Sequence, residues 1–280
     1  MHLIVICVVL IVIWQLRTRE ITWNSKWSDR WNRILLQFLL PPSLLLATSV
    51  AILLMGCHGK MLGINSGWWG CILALSFIIM SIGLLFQLAY QGYRSLQQVE
   101  LYPQKSLLDT TARILDCDFP YSAQIGFWNS QLLISQGLLQ TLDREHLEAV
   151  LAHEEAHAYY RDTFWFFWLG WLRRLTSWLP NTERLWKELL LLRELRADRY
   201  AAEQVDSLLL AEALLIVAKT PLESSMLLTA NFSHPLFNDR LTERIEFLLS
   251  EPESISTNHW HNYKWLLLSF LPLLTIPLHY

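Results

Sequence analysis

Two histidines four residues apart, with a glutamate between them, are the residues here most suited to chemistry: His153-Glu154-Glu155-Ala156-His157. The pattern is H-E-x-x-H. On a helix, side chains at i and i+4 project from one face, one turn above the other. Two imidazoles held that way can take two corners of a zinc tetrahedron, with Glu154 placed to draw a proton from water on the metal. The flanking residues, 141–162, support a helix. Thr141 and Asp143 are candidate N-caps, Asp143 and Glu145 put acid in the first turn, and Leu147, Val150, Leu151 and Ala158 keep an apolar face. Alone, the motif is only moderately specific, because His- and Glu-rich surface helices produce it by chance.

A second helix, expected over residues 185–204, supplies what the first lacks. Glu194 and Asp198 are again four apart. A His-His-Glu site needs one carboxylate from elsewhere in the fold and leaves a fourth position open for water. Glu194 can be that ligand, and Asp198, one turn on, can accept the N–H of a ligating imidazole and set its tautomer. Taken alone, these two acids read as a solvated ion-pairing face, since Arg193, Arg196 and Arg199 surround them. Beside the first motif, the ligand reading is the stronger one.

The run His153–His157, then Arg161-Asp162, the Trp- and Pro-containing stretch 178–186, and Arg193-Glu194 followed by Ala197-Asp198 resembles the membrane-anchored gluzincin peptidases. The closest pattern is the zinc-protease module of the beta-lactam sensor-transducers (BlaR/MecR type), with the HtpX-type and prenyl-protein peptidases as a related group. In motifs the resemblance covers residues 121–249. It implies His153, His157 and Glu194 as ligands of about one Zn2+ per chain, Glu154 as general base and Asp198 as partner of a ligating histidine. Glu155 departs from these families by placing a charge where they carry an apolar residue. A helical step of about 100° turns it away from the metal face.

Composition points to a bilayer. Hydrophobic residues make up 53% of the 280 positions, mean hydropathy is +0.27 and there are 14 tryptophans. A net charge of −3 without a basic stripe argues against nucleic acid as a partner. Cys7, Cys57, Cys71 and Cys117 show no C-x-x-C spacing. Cys57 and Cys71 flank one short loop and could pair if it faces an oxidising compartment, but free buried thiols are the expectation.

The apolar run 3–16 reads as an uncleaved anchor, because Arg17 and Arg19 follow it instead of preceding it. Arg17, Arg19, Lys26, Arg30 and Arg33 outweigh Glu20 and Asp29, so the positive-inside rule makes this linker cytoplasmic. Residues 34–55 form a second span, in which Pro41-Pro42 are expected to kink or briefly break the helix. Residues 68–89 form a third, and 265–280 a short fourth. The expected division is a three-helix membrane anchor (1–93), a cytoplasmic zinc peptidase domain (94–262) and a C-terminal transmembrane helix (263–280). The extracellular binding domain that follows in the beta-lactam sensors has no counterpart up to residue 280, so a peptidase without a sensor is expected.

Within the middle part, 125–128 and 132–134 read as two short strands around Asn129-Ser130. In the resembled families a strand here borders the cleft and pairs with extended substrate, a general way of holding a peptide. Residues 164–179, rich in Trp and Phe and carrying Arg173-Arg174, suit a helix at headgroup level or one packed on the anchors. Residues 206–219 read as a core helix. His234-Pro235, followed by Arg240 and Arg244, is similar to an HtpX-type pattern. His234 is a candidate donor to the oxyanion of an attacked carbonyl, with a structural turn histidine as the competing reading, while Arg240 and Arg244 are expected to bind carboxylates or orient the loop.

The expected fold class is therefore mainly α: multi-pass membrane helices plus a helical, zincin-like (gluzincin) catalytic domain with a small β edge. The expected activity is a membrane-integrated zinc endopeptidase acting on protein or peptide, with the lipid bilayer as its other partner. A site-2-type intramembrane protease is disfavoured because no Asp-Gly pair occurs. A catalytically degenerate scaffold or metal sensor of the same fold is the alternative outside enzymes.

Overall fold

Long Leu- and Ile-rich runs make helices here, and short segments between residues 104 and 135 make the sheet, of which only β4 is rich in β-branched residues. The computed structural model describes residues 1–19, 26–61, 64–65, 67–108, 110–218, 240–250 and 260–278. In chain order come α1 (His2–Thr18), α2 (Trp27–Met55), the hairpin strands β1 (Lys60–Met61) and β2 (Ile64–Asn65), and α3 (Trp68–Glu100). Strands β3 (Gln104–Leu107), β4 (Thr110–Leu115), β5 (Ser122–Ile125) and β6 (Gln131–Ser135) follow. Then come α4 (Gln136–Thr141), α5 (Arg144–Tyr159), α6 (Asp162–Leu175), α7 (Thr182–Ala202), α8 (Ser207–Ala218), α9 (Leu241–Leu249) and a 3-10 helix, Trp260–Leu278. The chain is mainly helical with a small sheet, the class expected from its sequence.

Two units divide these elements. One comprises Met1–Gln87, Leu169–Leu189 and Glu253–Tyr280. In it α2 runs through Pro41 and Pro42 as one helix, so the short break considered above does not occur. Pro42 has no N–H to offer the carbonyl four residues earlier, that of Phe38. Arg17 Nη2 donates to that carbonyl at 3.5 Å instead. Ala51, Ile52 and Met55 of α2 pack with Cys71 and Ala74 of α3 and with Leu273 and Ile276 of the 3-10 helix. Cys57 and Cys71 form a disulfide, which corrects the expectation of free thiols. Spacing alone could not reveal it, since what matters is that the two ends of the loop approach to 5.7 Å between Cα atoms. The aromatic stretch 164–179 enters this unit through the end of α6, where Trp171 Nε1 donates to the Ser81 carbonyl at 2.9 Å.

Among the described residues, two helices are long and apolar enough to cross a membrane, Trp27–Met55 and Trp68–Glu100. Only 22% of the apolar stretch of α3 is buried, and Ile72, Leu73, Ile79, Met80 and Phe86 are exposed along it.

The other unit comprises Leu88–Trp168 and Leu190–Pro252. Its four-stranded sheet has the order β3-β4-β6-β5, with β4 and β6 parallel and the other pairs antiparallel. Strand β5 is therefore an edge. It spans 122–125, not 125–128 as expected, because Gly126 at φ 157° starts the turn and Phe127-Trp128 lie in it. A Cβ at that glycine would collide with the backbone of Asn129. Strands β3 and β4 were not anticipated.

The sheet carries α5 on one face. Ala112, Leu132 and Ile134 of the strands meet Leu138, Leu142 and Val150, with Ala213 of α8 closing the cluster. Behind α5, the small residues Ala149 and Ala152 let α8 and α9 approach, and Leu210, Leu214 and Leu248 fill that layer. Burying each Leu or Ile contributes about 1.5–3 kcal/mol, so α5 is held firmly between two apolar layers.

Candidate metal centre

The helix expected over 141–162 is divided. Thr141 ends α4 and bonds back to the Gly137 carbonyl, while Asp143 caps α5 by accepting from His146 N at 3.0 Å. At the other end Arg161 takes a left-handed φ of 53°, reversing the chain so that α6 begins at Asp162. Helix α5 thus has two capped ends and two packed sides, and His153, Glu154 and His157 are all buried on it.

His153 Nε2 and His157 Nε2 lie 3.2 Å apart. From α7, Glu194 brings Oε2 to 3.4 Å from the first and Oε1 to 3.7 Å from the second. One atom from each of the three residues falls within 4.8 Å of the others. Donors about 2.0–2.1 Å from one tetrahedral ion lie roughly 3.3 Å from each other. The residues present therefore fit a zinc ion in spacing as well as in chemistry.

The other nitrogens of the rings face carboxylates. His153 Nδ1 is 2.9 Å from Asp198 Oδ1, and His157 Nδ1 is 2.7 Å from Asp162 Oδ2. A carboxylate only accepts, so the hydrogen bond at His157 puts that ring's proton on Nδ1, and the charge contact of Asp198 favours a proton on Nδ1 of His153, which would leave both Nε2 lone pairs for a metal. Arg244 forks onto Asp198 at 2.7 and 2.6 Å, and Arg196 pairs with Asp162. Arg193 forks onto Glu194 Oε1 at 2.9 and 2.6 Å. Arg240 lies 3.7 Å from Glu243.

Charge balance in the metal-free site follows from these pairs. Burial depresses the His153 imidazole, but Asp198 and Glu194 outweigh it and raise it to about 9. Burial likewise opposes the charge on His157, and Glu194 and Asp162 prevail and raise it. Burial disfavours the Glu194 carboxylate, yet Arg193 and His157 hold it well below the usual range. Asp162 and Asp198 are lowered in the same way, burial being overcome by His157 and Arg196 for one and by Arg244 and His153 for the other. These carboxylates remain charged, held so by the arginines and by the protonated histidines, and a metal ion on the two Nε2 atoms would displace the protons.

Of the residues singled out in the sequence, His153, Glu154, His157, Glu194 and Asp198 are brought together, and Arg244 binds a carboxylate as expected. His234 lies outside the described residues. Missing from the sequence reading were the roles of Asp162 on His157, of Arg196 on Asp162, and of Ser122, whereas the Arg193–Glu194 pair falls within the ion-pairing reading. Asp162 had a signal, a carboxylate one short turn beyond the second histidine. Ser122 had none.

Residues 121–179 match the family model for Peptidase family M48. No curated protein matches the chain. The matched segment contains both histidines and Glu154, and Glu194 lies beyond it. That match supports a metallopeptidase of family M48, a zinc-dependent family, to which this part of the chain is similar.

Proposed function

We propose that the protein is a membrane-integrated zinc endopeptidase of the membrane-anchored gluzincin type, cutting protein or peptide substrates on the cytoplasmic side. The observation that carries this reading is the convergence of two Nε2 atoms 3.2 Å apart with the Glu194 carboxylate, one of its oxygens 3.4 Å from His153 and the other 3.7 Å from His157, and Glu154 on the same helix as the histidines. His153, His157 and Glu194 would hold the ion, and Asp198 and Asp162 would orient the two rings. Bound there, zinc would supply Lewis acidity toward a scissile carbonyl and an attacking water. Glu154 takes a proton from the attacking water and returns it to the leaving amine. Substrate adds as a strand to the outer edge of β5, which pairs with no other strand among the described residues and so offers a ladder of N–H and C=O groups. Any contribution from His234 to the oxyanion belongs to the same proposal.

Membrane integration rests on α2 and α3 together with two shorter apolar helices. Helix α1, at 17 residues, reaches about 26 Å. The 3-10 helix rises more per residue, so its 19 residues extend roughly 38 Å. A hydrocarbon core is about 30 Å thick, so the first needs its flanks and the second does not. Basic residues put the α1–α2 connection in the cytoplasm. The α2–α3 connection then lies outside, where the Cys57–Cys71 disulfide finds an oxidising compartment. The return through α3 brings the peptidase unit to the cytoplasm, and the proposed division stays anchor, domain and C-terminal span at 1–93, 94–262 and 263–280.

The test is direct. Protein purified in detergent carries about one zinc per chain, and Glu154→Gln keeps that zinc while proteolysis drops by about 10²–10⁴-fold. Unchanged cleavage in that variant removes the mechanism. Zinc without cleavage of any proteome-derived peptide favours a metal-sensing scaffold instead.

A further inference from the structure

We propose that Ser122 is a positioning residue for the general base: it holds Glu154 by one carboxylate oxygen so that the other is presented to the reacting water. This rests on the peptidase reading above. The Ser122 hydroxyl donates to Glu154 Oε1 at 2.7 Å. Glu154 is buried, and among the described residues its Oε2 has no hydrogen-bond partner. A buried carboxylate oxygen without a donor is costly, and here it is the atom left free on the side-chain group that must accept a proton. The two oxygens therefore divide the work. Oε1 stays bonded to the serine, while the O–H bond of the attacking water breaks and Oε2–H forms.

The terminal torsion of a glutamate is broad and roughly two-fold, so an untethered carboxylate would swing between orientations. A hydrogen bond to one oxygen selects a single one. The tether comes from an informative place. Ser122 lies on the edge strand β5, in register with Ile134 of β6, and side chains alternate along a strand. Its hydroxyl points to α5 while the backbone of the same strand is where a substrate strand would add. One element then sets both the height of the scissile bond and the direction of the base, and a slip of β5 would misplace the two together.

The experiment uses the zinc-loaded full chain in detergent. Ser122→Ala is expected to lower kcat by about tenfold to a hundredfold with KM within about twofold, the signature of an interaction needed only in the transition state. Zinc content stays unchanged, melting temperature falls by no more than the loss of one buried hydrogen bond accounts for, and Ser122→Thr, which retains the hydroxyl, restores most of the rate. Ser122→Cys keeps the volume with a weak donor and serves the same purpose if the alanine variant melts early. A second readout needs no turnover. Calorimetric affinity for a phosphinic peptide, a tetrahedral mimic, should weaken on Ser122→Ala in the wild-type background but not in Glu154→Gln. Equal weakening in both backgrounds, or a change in KM alone, overturns the proposal. A wild-type chain that neither binds zinc nor cleaves overturns the peptidase reading and this proposal with it. An active wild type whose kcat is untouched by Ser122→Ala overturns this proposal alone.

Discussion

At the scale of single residues, the centre depends on which nitrogen of each ring carries the proton. Asp162 settles that for His157 by a hydrogen bond, and Asp198 favours the same nitrogen on His153. Asp162→Asn or Asp198→Asn should therefore weaken zinc affinity by about 10–100-fold, measured by competition with a chromogenic chelator. Affinity should also rise with pH, since His153, at about 9 without metal, must shed its proton to bind. The stability of the metal-free protein has the opposite dependence on that side. The contribution of the raised His153 is complete below about 6.5 and is lost as pH climbs through about 9. The contributions of the lowered Asp162 and Asp198 are complete above 3.8 and are lost on acidification. Melting temperature of the metal-free form should thus peak between those limits, and a maximum above pH 9 would contradict the assigned pairs.

At the scale of elements, α5 is the part whose position everything else serves. The i, i+4 histidines and the acidic first turn made the helix legible in the sequence, and so were α7 with Glu194 and α8 as a core helix. Strands β3 and β4 were not, because Thr110–Leu115 carries no clean two-residue alternation and its burial comes from lying centrally in the sheet. Two substitutions test the packing. Ala149→Leu forces volume into a closed layer between α5 and α8 and should cost about 1–3 kcal/mol. Arg244→Met leaves Asp198 buried without its forked partner and should cost about 3–5 kcal/mol. Thermal or denaturant melts in detergent read both, and an unshifted transition for Arg244→Met would mean that α9 does not secure that acid.

At the scale of the molecule, the apolar unit and the catalytic unit have separate tests. Reporter fusions or cysteine labelling after Tyr93 should report the cytoplasm, and the Cys57–Cys71 bond should be found intact by alkylation before and after reduction. An external reporter signal, or free thiols at both positions in cells, would reverse the proposed orientation. The hydropathy pattern made the long helices visible, because an apolar run of that length has few soluble alternatives. It could not show that Arg17 would answer the carbonyl left without a donor by Pro42, since those residues meet only after α1 folds back on α2.

Residue types and spacing by themselves determined the chemistry on offer: two imidazoles and a base on one helical face, a carboxylate pair on another, and apolar runs suited to a membrane. Local periodicity is enough for that, because neighbours at i and i+4 are set by the helix alone. Only the tertiary structure decided which acid meets which ring, that Asp162 turns back under His157, that Ser122 reaches Glu154 from 32 positions away, and that Cys57 and Cys71 close a loop. Those contacts join separate elements, and no short-range rule fixes the distance between elements until their apolar faces have packed.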